Sequence, residues 1–331
     1  MAATILDVAK LCGYSKATVS RAFASPEQVT DKTRQKVYEA AQLLNYTPDA
    51  IARAMVRGRT DNIGFIIYEK QYPVVMNPFY SAIFEAVLQT CARKGFSLFI
   101  SSDRDLYLPN GQIGFKKHMD GVLLAGQTDA ETVMALKRQS MPIVMLNNAL
   151  DIEDLLCVTT DQYGGAVLAM RHLTQRGHRK IGLIAGAFSP HVYMARYNGY
   201  VDVLREIGEE VDMRFVQTIE PTVDDAVHRV SQMLSLEDHP TALFCTNDTI
   251  AIGAIKAVLR AGLRIPEDVA IIGFDDSEIS QLIEPELTTI HVDKEKMGRI
   301  AAEELIAQIE GKKTSKHIIQ TSVSLVKRQT T

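Results

Sequence analysis

Residues 5–23 read ILDVAKLCGYSKATVSRAF and contain two short helical patterns that a glycine separates. Thr4 can cap the first helix, Gly13 can adopt the left-handed backbone conformation that ends it, and Ser15 can cap the second. A third amphipathic pattern, DKTRQKVYEAAQLLN, follows. Two short helices joined by a tight turn with glycine, and then a third helix, are the parts of a helix-turn-helix domain. The sequence therefore predicts an all-α helix-turn-helix head over residues 1–47.

The charge of the chain is distributed unevenly. The first 60 of its 331 residues carry nine Lys/Arg and five Asp/Glu, a net charge of +4, although the whole chain is at −4. A small basic head on an acidic body favours a head that binds a polyanion. A three-helix adaptor domain with a solvated basic face is the alternative.

If the head binds DNA, its second helix lies in the major groove. Lys16 and Arg21 can then donate to guanine, and Ala17 can contact a thymine methyl group. Hydroxyl groups position a protein on phosphates without reading sequence. The hydroxyls suited to this are those of Ser15, Thr18, Ser20 and Thr33.

Composition and motifs argue against several classes of protein. With 46% hydrophobic and 23% charged residues, the chain has the composition of a globular protein. Its apolar runs and its N-terminal sequence predict neither a membrane span nor a secretory signal, so we expect the protein in the cytoplasm. The sequence has no G-x-S-x-G elbow, P-loop or metal-binding cluster, so we expect neither an enzyme nor a cofactor. Cys91, Cys157 and Cys245 lie in apolar runs and are predicted to be buried thiols, and Cys12 has no C-x-x-C partner.

Beyond the head, short apolar runs alternate with helical patterns. The runs include IGFIIY, FSLFIS, GVLLAG, PIVML, KIGLIAG, TALFCT and VAIIGF. This alternation predicts parallel sheets covered by helices on both faces, and a body of about 270 residues favours two lobes over one sheet. Ligands of such folds bind beyond the carboxyl ends of the strands and between lobes.

Polar and aromatic residues follow several of these runs or lie on the helices between them. Arginine and aspartate can bind vicinal hydroxyls, and aromatic faces pack against the C–H surfaces of sugars, so these residues predict a site for a polyhydroxylated ligand. The candidates are Phe79, Tyr80, Asn147, Asp161, Arg196, Asn198, Asn247 and Asp275. Asn and Asp after strands also cap helices, and we interpret the neighbouring Asp248 and Asp276 as structural.

The head sequence and VTDKTRQKVYEAAQLLNYTPDAIARAM closely resemble the head of the lactose/galactose repressor (LacI/GalR) family. NPFY, DQYGG, ARYNGY, CTNDTIAIGA and VAIIGFDD resemble landmarks of its body, so the resemblance covers nearly the whole chain. It implies a two-lobed, periplasmic-binding-protein-like body of doubly wound parallel sheets, whose cleft is lined by the candidates above other than Asn198. It also implies a homodimeric repressor of a near-palindromic operator. The effector implied is a sugar or sugar derivative, and a purine or phosphorylated corepressor is the alternative.

The resemblance further identifies residues 48–60 as a hinge helix and linker. In the family this helix pairs with its dimer mate in the minor groove, where Arg53 and Arg57 can face phosphates and Met55 can wedge between base steps. An ordinary charged linker is the alternative. The body is expected over residues 61–331, with one lobe at about 61–160 and 292–321 and the other at about 162–290 and 322–331. The chain departs from the family pattern at Tyr14, where valine is usual, and at Glu220-Pro221, where an aromatic residue is usual.

Overall fold

The computed structural model describes residues 3–47, 59–68, 76–107, 119–186, 190–312 and 317–331. The predicted hinge residues Arg53, Met55 and Arg57 lie outside these ranges. The α-helices are α1 (Ile5–Cys12), α2 (Lys16–Ala24), α3 (Asp31–Leu43), α4 (Tyr80–Arg93), α5 (Ala130–Arg138), α6 (Gln162–Gln175), α7 (Pro190–Glu206), α8 (Val223–Leu234), α9 (Asp248–Arg260) and α10 (Lys294–Ile309). The strands are β1 (Asn62–Ile67), β2 (Ser97–Ser102), β3 (Gly121–Ala125), β4 (Ile143–Leu146), β5 (Leu156–Thr160), β6 (Ile181–Gly186), β7 (Val216–Ile219), β8 (Ala242–Cys245), β9 (Ala270–Ile272), β10 (Thr289–Val292), β11 (Ile318–Thr321) and β12 (Val323–Val326).

The head is the predicted three-helix unit. The Thr4 hydroxyl accepts from the Asp7 amide, and the Asp7 carboxylate accepts from the Thr4 amide at 2.8 Å, so a reciprocal capping box begins α1. Gly13 ends that helix at φ 74°, where a side chain would be strained, and the Ser15 hydroxyl caps α2 by accepting from the Thr18 amide at 3.1 Å. A small apolar core joins the three helices; its buried members are Val8, Ala9, Val19, Ala22, Val37, Ala40 and Ala41.

The first lobe is built on a six-stranded parallel sheet in the order β11-β5-β4-β3-β1-β2. Side chains alternate between the two faces of each strand, so Phe65 packs towards α4 and α10 while Ile66 packs towards α5. Helices α4 and α10 approach closely at Gly298. A Cβ atom there would lie only 2.4 Å from the Ile83 carbonyl oxygen, so a larger residue would not fit. The first lobe is therefore covered on both faces, as the sequence predicts.

The second lobe is built on a four-stranded parallel sheet in the order β7-β6-β8-β9, with the antiparallel pair β10-β12 beside it. Helices α6 and α7 pack on one face against Leu183 and Phe244, and α8 and α9 pack on the other against Ile184 and Leu243. The chain passes between the lobes three times: from β5 to α6, from β10 to α10, and from β11 to β12. The predicted fold class is confirmed.

Three further observations concern the described residues. Cys91, Cys157 and Cys245 are buried free thiols, as predicted. Among the described residues, no helix is long and apolar enough to cross a membrane. No group of His, Cys, Asp and Glu in those same residues is arranged to hold a metal ion.

Candidate DNA-binding and effector-binding sites

Helix α2 presents one face to the core of the head and the other to solvent. Val19 and Ala22 are fully buried, whereas Lys16, Ala17 and Arg21 are exposed. Residues four apart lie on the same side of a helix, so Ala17 and Arg21 are neighbours and Lys16 adjoins them at the start of the helix. The three candidate base-reading residues thus form one exposed face.

The candidate phosphate-binding hydroxyls lie at the starts of α2 and α3. Ser15 and Thr18 share a hydrogen bond of 2.9 Å, and the Thr33 hydroxyl lies 3.0 Å from that of Thr30. Thr33 also donates to the Tyr14 hydroxyl at 3.5 Å, a contact that the sequence did not predict. Ser20 is half-buried on α2. Helix N-termini offer backbone N–H groups to anions, so these hydroxyls lie where phosphates can bind.

In the body, Asn77 places the two aromatic candidates. Its side-chain oxygen accepts from the amides of Phe79 and Tyr80 at 3.1 Å each and so fixes the start of α4. The two rings meet edge to face with their centroids 5.1 Å apart, and both are nearly buried. The Tyr80 hydroxyl accepts from the Asn147 amide group at 3.4 Å.

A hydrogen-bonded chain continues from Asn147 in the first lobe into the second. Gln162, at the start of α6, donates from its amide nitrogen to the Asn147 side-chain oxygen at 3.0 Å. The Gln162 oxygen accepts from Arg196 Nε at 2.8 Å. Gln162 is buried and was not among the candidates; only its position next to Asp161 indicated it.

Arg196 is the centre of the second lobe's part of the site. Its guanidinium lies 3.7 Å from the centre of the Phe274 ring and donates through Nη1 to the Thr246 carbonyl oxygen. Its Nη2 atom is 3.7 Å from Asp275 Oδ1, an ion-pair distance that is too long for a hydrogen bond. Burial lowers the pKa of Arg196 to about 10, against the attraction of the Asp275 carboxylate. The arginine is only 2% exposed.

Asp275 combines burial with an unsatisfied oxygen. Its backbone has φ 109°, and its amide donates to the Ile290 carbonyl at 2.8 Å. Within the described part of the chain, its buried Oδ1 atom has no hydrogen-bond partner. Burial raises the pKa of Asp275 to about 7; Arg196 opposes this rise and Asp248 adds to it. A buried carboxylate oxygen without a donor is costly unless a ligand or water supplies one.

The other candidates are not joined to this chain of contacts. Asp161 caps α6 by accepting from the Gly164 amide at 2.8 Å, and Asn247 caps α9 by accepting from the Ile250 amide at 2.8 Å. Asn198 is exposed on α7, about 200° around the helix from Arg196, because each residue turns the helix by about 100°.

The two aspartates interpreted as structural have partners inside the second lobe. Asp248 accepts from the Ser277 amide at 2.7 Å and from the Thr289 hydroxyl at 2.6 Å, and burial raises its pKa to about 6. Asp276 pairs with Arg328 at 2.7 Å and with His291 at 2.8 Å. Burial alone would raise the pKa of the Asp276 carboxyl, but the hydrogen bonds from Arg328 and His291 hold that pKa below its usual value.

A helix-turn-helix head with an exposed basic face, joined to a two-lobed body with a polar site between the lobes, defines the class of ligand-responsive DNA-binding regulators. Residues 4–49 match the lacI family of bacterial regulatory proteins, and residues 170–331 match the periplasmic binding protein-like domain. The chain is 34% identical over 334 residues to the "HTH-type transcriptional repressor PurR" of Mannheimia succiniciproducens, an alignment that covers 99% of this chain and 98% of that protein.

Solved structures agree with the sequence comparison. The lac repressor dimer bound to operator and the anti-inducer ONPF superposes with a TM-score of 0.83 at 26% identity, covering 100% of this chain and 99% of that one. The transcriptional regulator CelR in complex with cellobiose gives a TM-score of 0.76 at 28% identity, covering 99% of this chain and 100% of that one. The chain belongs to the lacI family of bacterial regulatory proteins, which confirms the resemblance seen in its sequence. It is a DNA-binding transcriptional repressor rather than an enzyme.

Proposed function

We propose that this repressor is controlled by a small polyhydroxylated molecule, a sugar or sugar derivative, that binds between the two lobes. The observation that carries the proposal is the buried Oδ1 atom of Asp275, which lacks a hydrogen-bond partner among the described residues and lies 3.7 Å from Arg196 Nη2. A ligand that donates to this oxygen removes the cost of leaving it unsatisfied.

A hydroxyl group suits this pair because one oxygen atom both donates and accepts. It can donate to Asp275 Oδ1 and accept from Arg196, and a neighbouring hydroxyl of the same sugar can extend the contact. The nearly buried rings of Phe79 and Tyr80 belong to the first lobe and offer apolar surface for sugar C–H groups.

Because these groups come from both lobes, the effector is expected to change the angle between them. Gln162 already bridges Asn147 and Arg196 across the two lobes, so a ligand bound beside this bridge shifts the equilibrium between lobe arrangements. A change in the lobe arrangement of the body, residues 61–331, then alters DNA binding by the head, residues 1–47, through the hinge over residues 48–60. In this account Arg53 and Arg57 contact phosphates and Met55 wedges into the minor groove.

A purine corepressor is the second candidate effector. The relative at 34% identity carries the name PurR, whereas the cellobiose complex is 28% identical to this chain. A purine also presents hydrogen-bond donors and acceptors on its edge and a flat face for aromatic rings. It differs from a sugar in having donors and acceptors on separate atoms.

The repressor is proposed to act as a homodimer on a near-palindromic operator, as a bacterial DNA-binding protein in the cytoplasm. Strand β2 is the edge of the first sheet and exposes Phe99 at 49% and Ile100 at 40% of their surface, while Leu88 on α4 is 39% exposed. An exposed apolar edge of this kind is typical of a surface that a second copy covers. Sedimentation analysis should give a dimer for the wild type and a monomer for Phe99→Glu.

Thermal-shift measurements test the effector class directly. The panel is D-ribose, D-glucose, cellobiose, guanine and hypoxanthine, each titrated against the wild type and against Asp275→Asn. A ligand that binds only the folded state raises the melting temperature, so a sugar should do so in the wild type and lose most of that effect in the variant. A shift with a purine alone would select the second candidate. A shift equal in both proteins would place the ligand away from Asp275.

A further inference from the structure

Lys294 is the first residue of α10, where a cation is unfavourable because the N-terminus of a helix carries partial positive charge. Its half-buried side chain donates hydrogen bonds to backbone carbonyl groups of residues earlier in the chain. The ammonium group donates to the carbonyl oxygens of Asp275, of Asp276 at 3.1 Å and of Val292 at 3.3 Å. Three carbonyl groups from two segments therefore converge on one cation.

Two of these carbonyl groups belong to residues with a strained backbone. Asp275 has φ 109° and Asp276 has φ 51°, values that residues other than glycine adopt rarely and only when their surroundings hold them. The amide of Asp275 is held by the Ile290 carbonyl, and the carboxylate of Asp276 is held by Arg328. The angle φ describes rotation about the N–Cα bond of Asp275, and the carbonyl group beyond that bond accepts a hydrogen bond from Lys294.

The bond also crosses between the lobes. Asp275 follows β9 of the second lobe, whereas α10 packs on the first sheet and against α4, with Gly298 close to the Ile83 carbonyl. Because Lys294 lies in the crossing from β10 to α10, a movement of α10 relative to the second lobe displaces the residue that makes these bonds. The orientation of the Asp275 carboxylate is thus tied to the position of a first-lobe helix.

We propose that Lys294 is the positioning residue of the effector site: it holds the Asp275 backbone in the conformation that aims its carboxylate at the ligand, and it couples that conformation to α10. The backbone part of the proposal is independent of the ligand. The coupling part rests on the proposed function, because it requires an effector that contacts Asp275.

A double-mutant cycle tests the backbone part without a ligand. Lys294→Met is made in the wild type, in Asp275→Asn and in Asp275→Gly, and melting temperatures are compared. Glycine adopts φ 109° without strain, so the loss caused by Lys294→Met should persist with asparagine and fall by half or more with glycine. Lys296→Met, at an exposed lysine of the same helix, is the control and should cause no loss. Equal losses from Lys294→Met in all three backgrounds would overturn the proposal.

Titration calorimetry tests the coupling part with whichever of the five panel compounds gives the largest thermal shift. Lys294→Met should weaken its binding by about tenfold or more, whereas the control Lys296→Met should leave it within about twofold of wild type. Lys294→Arg retains the charge and donors and should restore much of the affinity; it also serves if the methionine variant does not fold. Unchanged binding in Lys294→Met would refute the positioning role. If no panel compound binds the wild type, the proposed effector classes fail, and the double-mutant cycle still decides the role of Lys294.

Discussion

Replacing Arg196 by lysine keeps a positive charge at the centre of the interlobe site but removes the planar guanidinium. The arginine makes a hydrogen bond from Nε to Gln162 at 2.8 Å, another from Nη1 to the Thr246 carbonyl, and a stacked contact with Phe274 at 3.7 Å. A single ammonium group can keep one of these bonds and cannot stack as a plane.

The expected loss follows from what lysine cannot replace. A hydrogen bond from a charged group contributes about 1.5–3 kcal/mol, and a desolvated cation–π contact contributes about 2 kcal/mol. Allowing for one retained bond and about half of the stacking, we expect Arg196→Lys to lower the free energy of unfolding of the body by about 2.5–4 kcal/mol. The response to effector should disappear, since the ion pair with Asp275 loses its geometry. Operator binding should persist wherever the variant is folded.

Urea unfolding followed by circular dichroism measures the first effect, and operator binding with and without effector measures the second. Arg205→Lys is the matched control, because Arg205 lies on the same helix and pairs with Asp202 on the surface, where its side chain is 75% exposed. That substitution should change neither quantity measurably. If Arg196→Lys is as stable as Arg205→Lys, the buried contacts of Arg196 do not stabilise the body and our account of the site is wrong.

Three further predictions concern pH, operator reading and DNA bending. Burial raises the pKa of Asp275 to about 7, so protonation of its carboxyl stabilises the folded state fully below the pKa of the unfolded chain, and this stabilisation is lost as the pH rises through about 7. Urea unfolding at pH 5–8 should show the free energy of unfolding of the wild type falling with pH, and Asp275→Asn should remove this part of the fall. An identical pH dependence in both proteins would contradict the assignment. Arg21→Ala should weaken binding to the selected operator by about 1–3 kcal/mol and binding to random duplex much less, and equal losses in a competition assay would assign Arg21 to a phosphate. Met55→Leu should preserve DNA bending and Met55→Gly should abolish it; an unchanged bend angle in the glycine variant would make Met55 a linker residue.

Local signals in the sequence predict the head well. Thr4, Gly13 and Ser15 act through hydrogen bonds and backbone angles within a few residues, so the pattern alone determines where α1 ends and α2 begins. The continuous apolar runs of β1 and β3 likewise predict central parallel strands, because both of their faces are buried.

The sequence does not predict elements and contacts that depend on distant parts of the chain. Strand β7 has a mixed pattern, VQTI, and lies at the edge of its sheet, so neither periodicity nor burial marks it. Strands β10 and β12 pair across the crossings between the lobes, and no local pattern indicates which sheet each strand joins.

The site shows the same division between local and distant contacts. Arg196 and Asp275 could be selected by residue type, but Gln162 bridges Asn147 and Arg196 through contacts that only the folded chain brings together. Asp161 and Asn247 stay predicted site residues, because a side chain that caps a helix through one oxygen can still contact a ligand. Their positions after strands suggested a cleft, and in the structure their side chains cap helices.

The most direct test of the account is an operator titration by fluorescence anisotropy, on a duplex that the protein itself selects from random sequences. It is carried out with and without the panel compound that stabilises the wild type most, at low and physiological salt. We expect affinity to fall steeply with salt, because phosphate contacts release counterions. The compound should shift the affinity by about tenfold, and Asp275→Asn should abolish that shift; the operator should change the affinity for the compound by the same factor. A compound that binds the wild type at Asp275 yet leaves operator affinity unchanged would contradict the claim that the interlobe site controls the repressor.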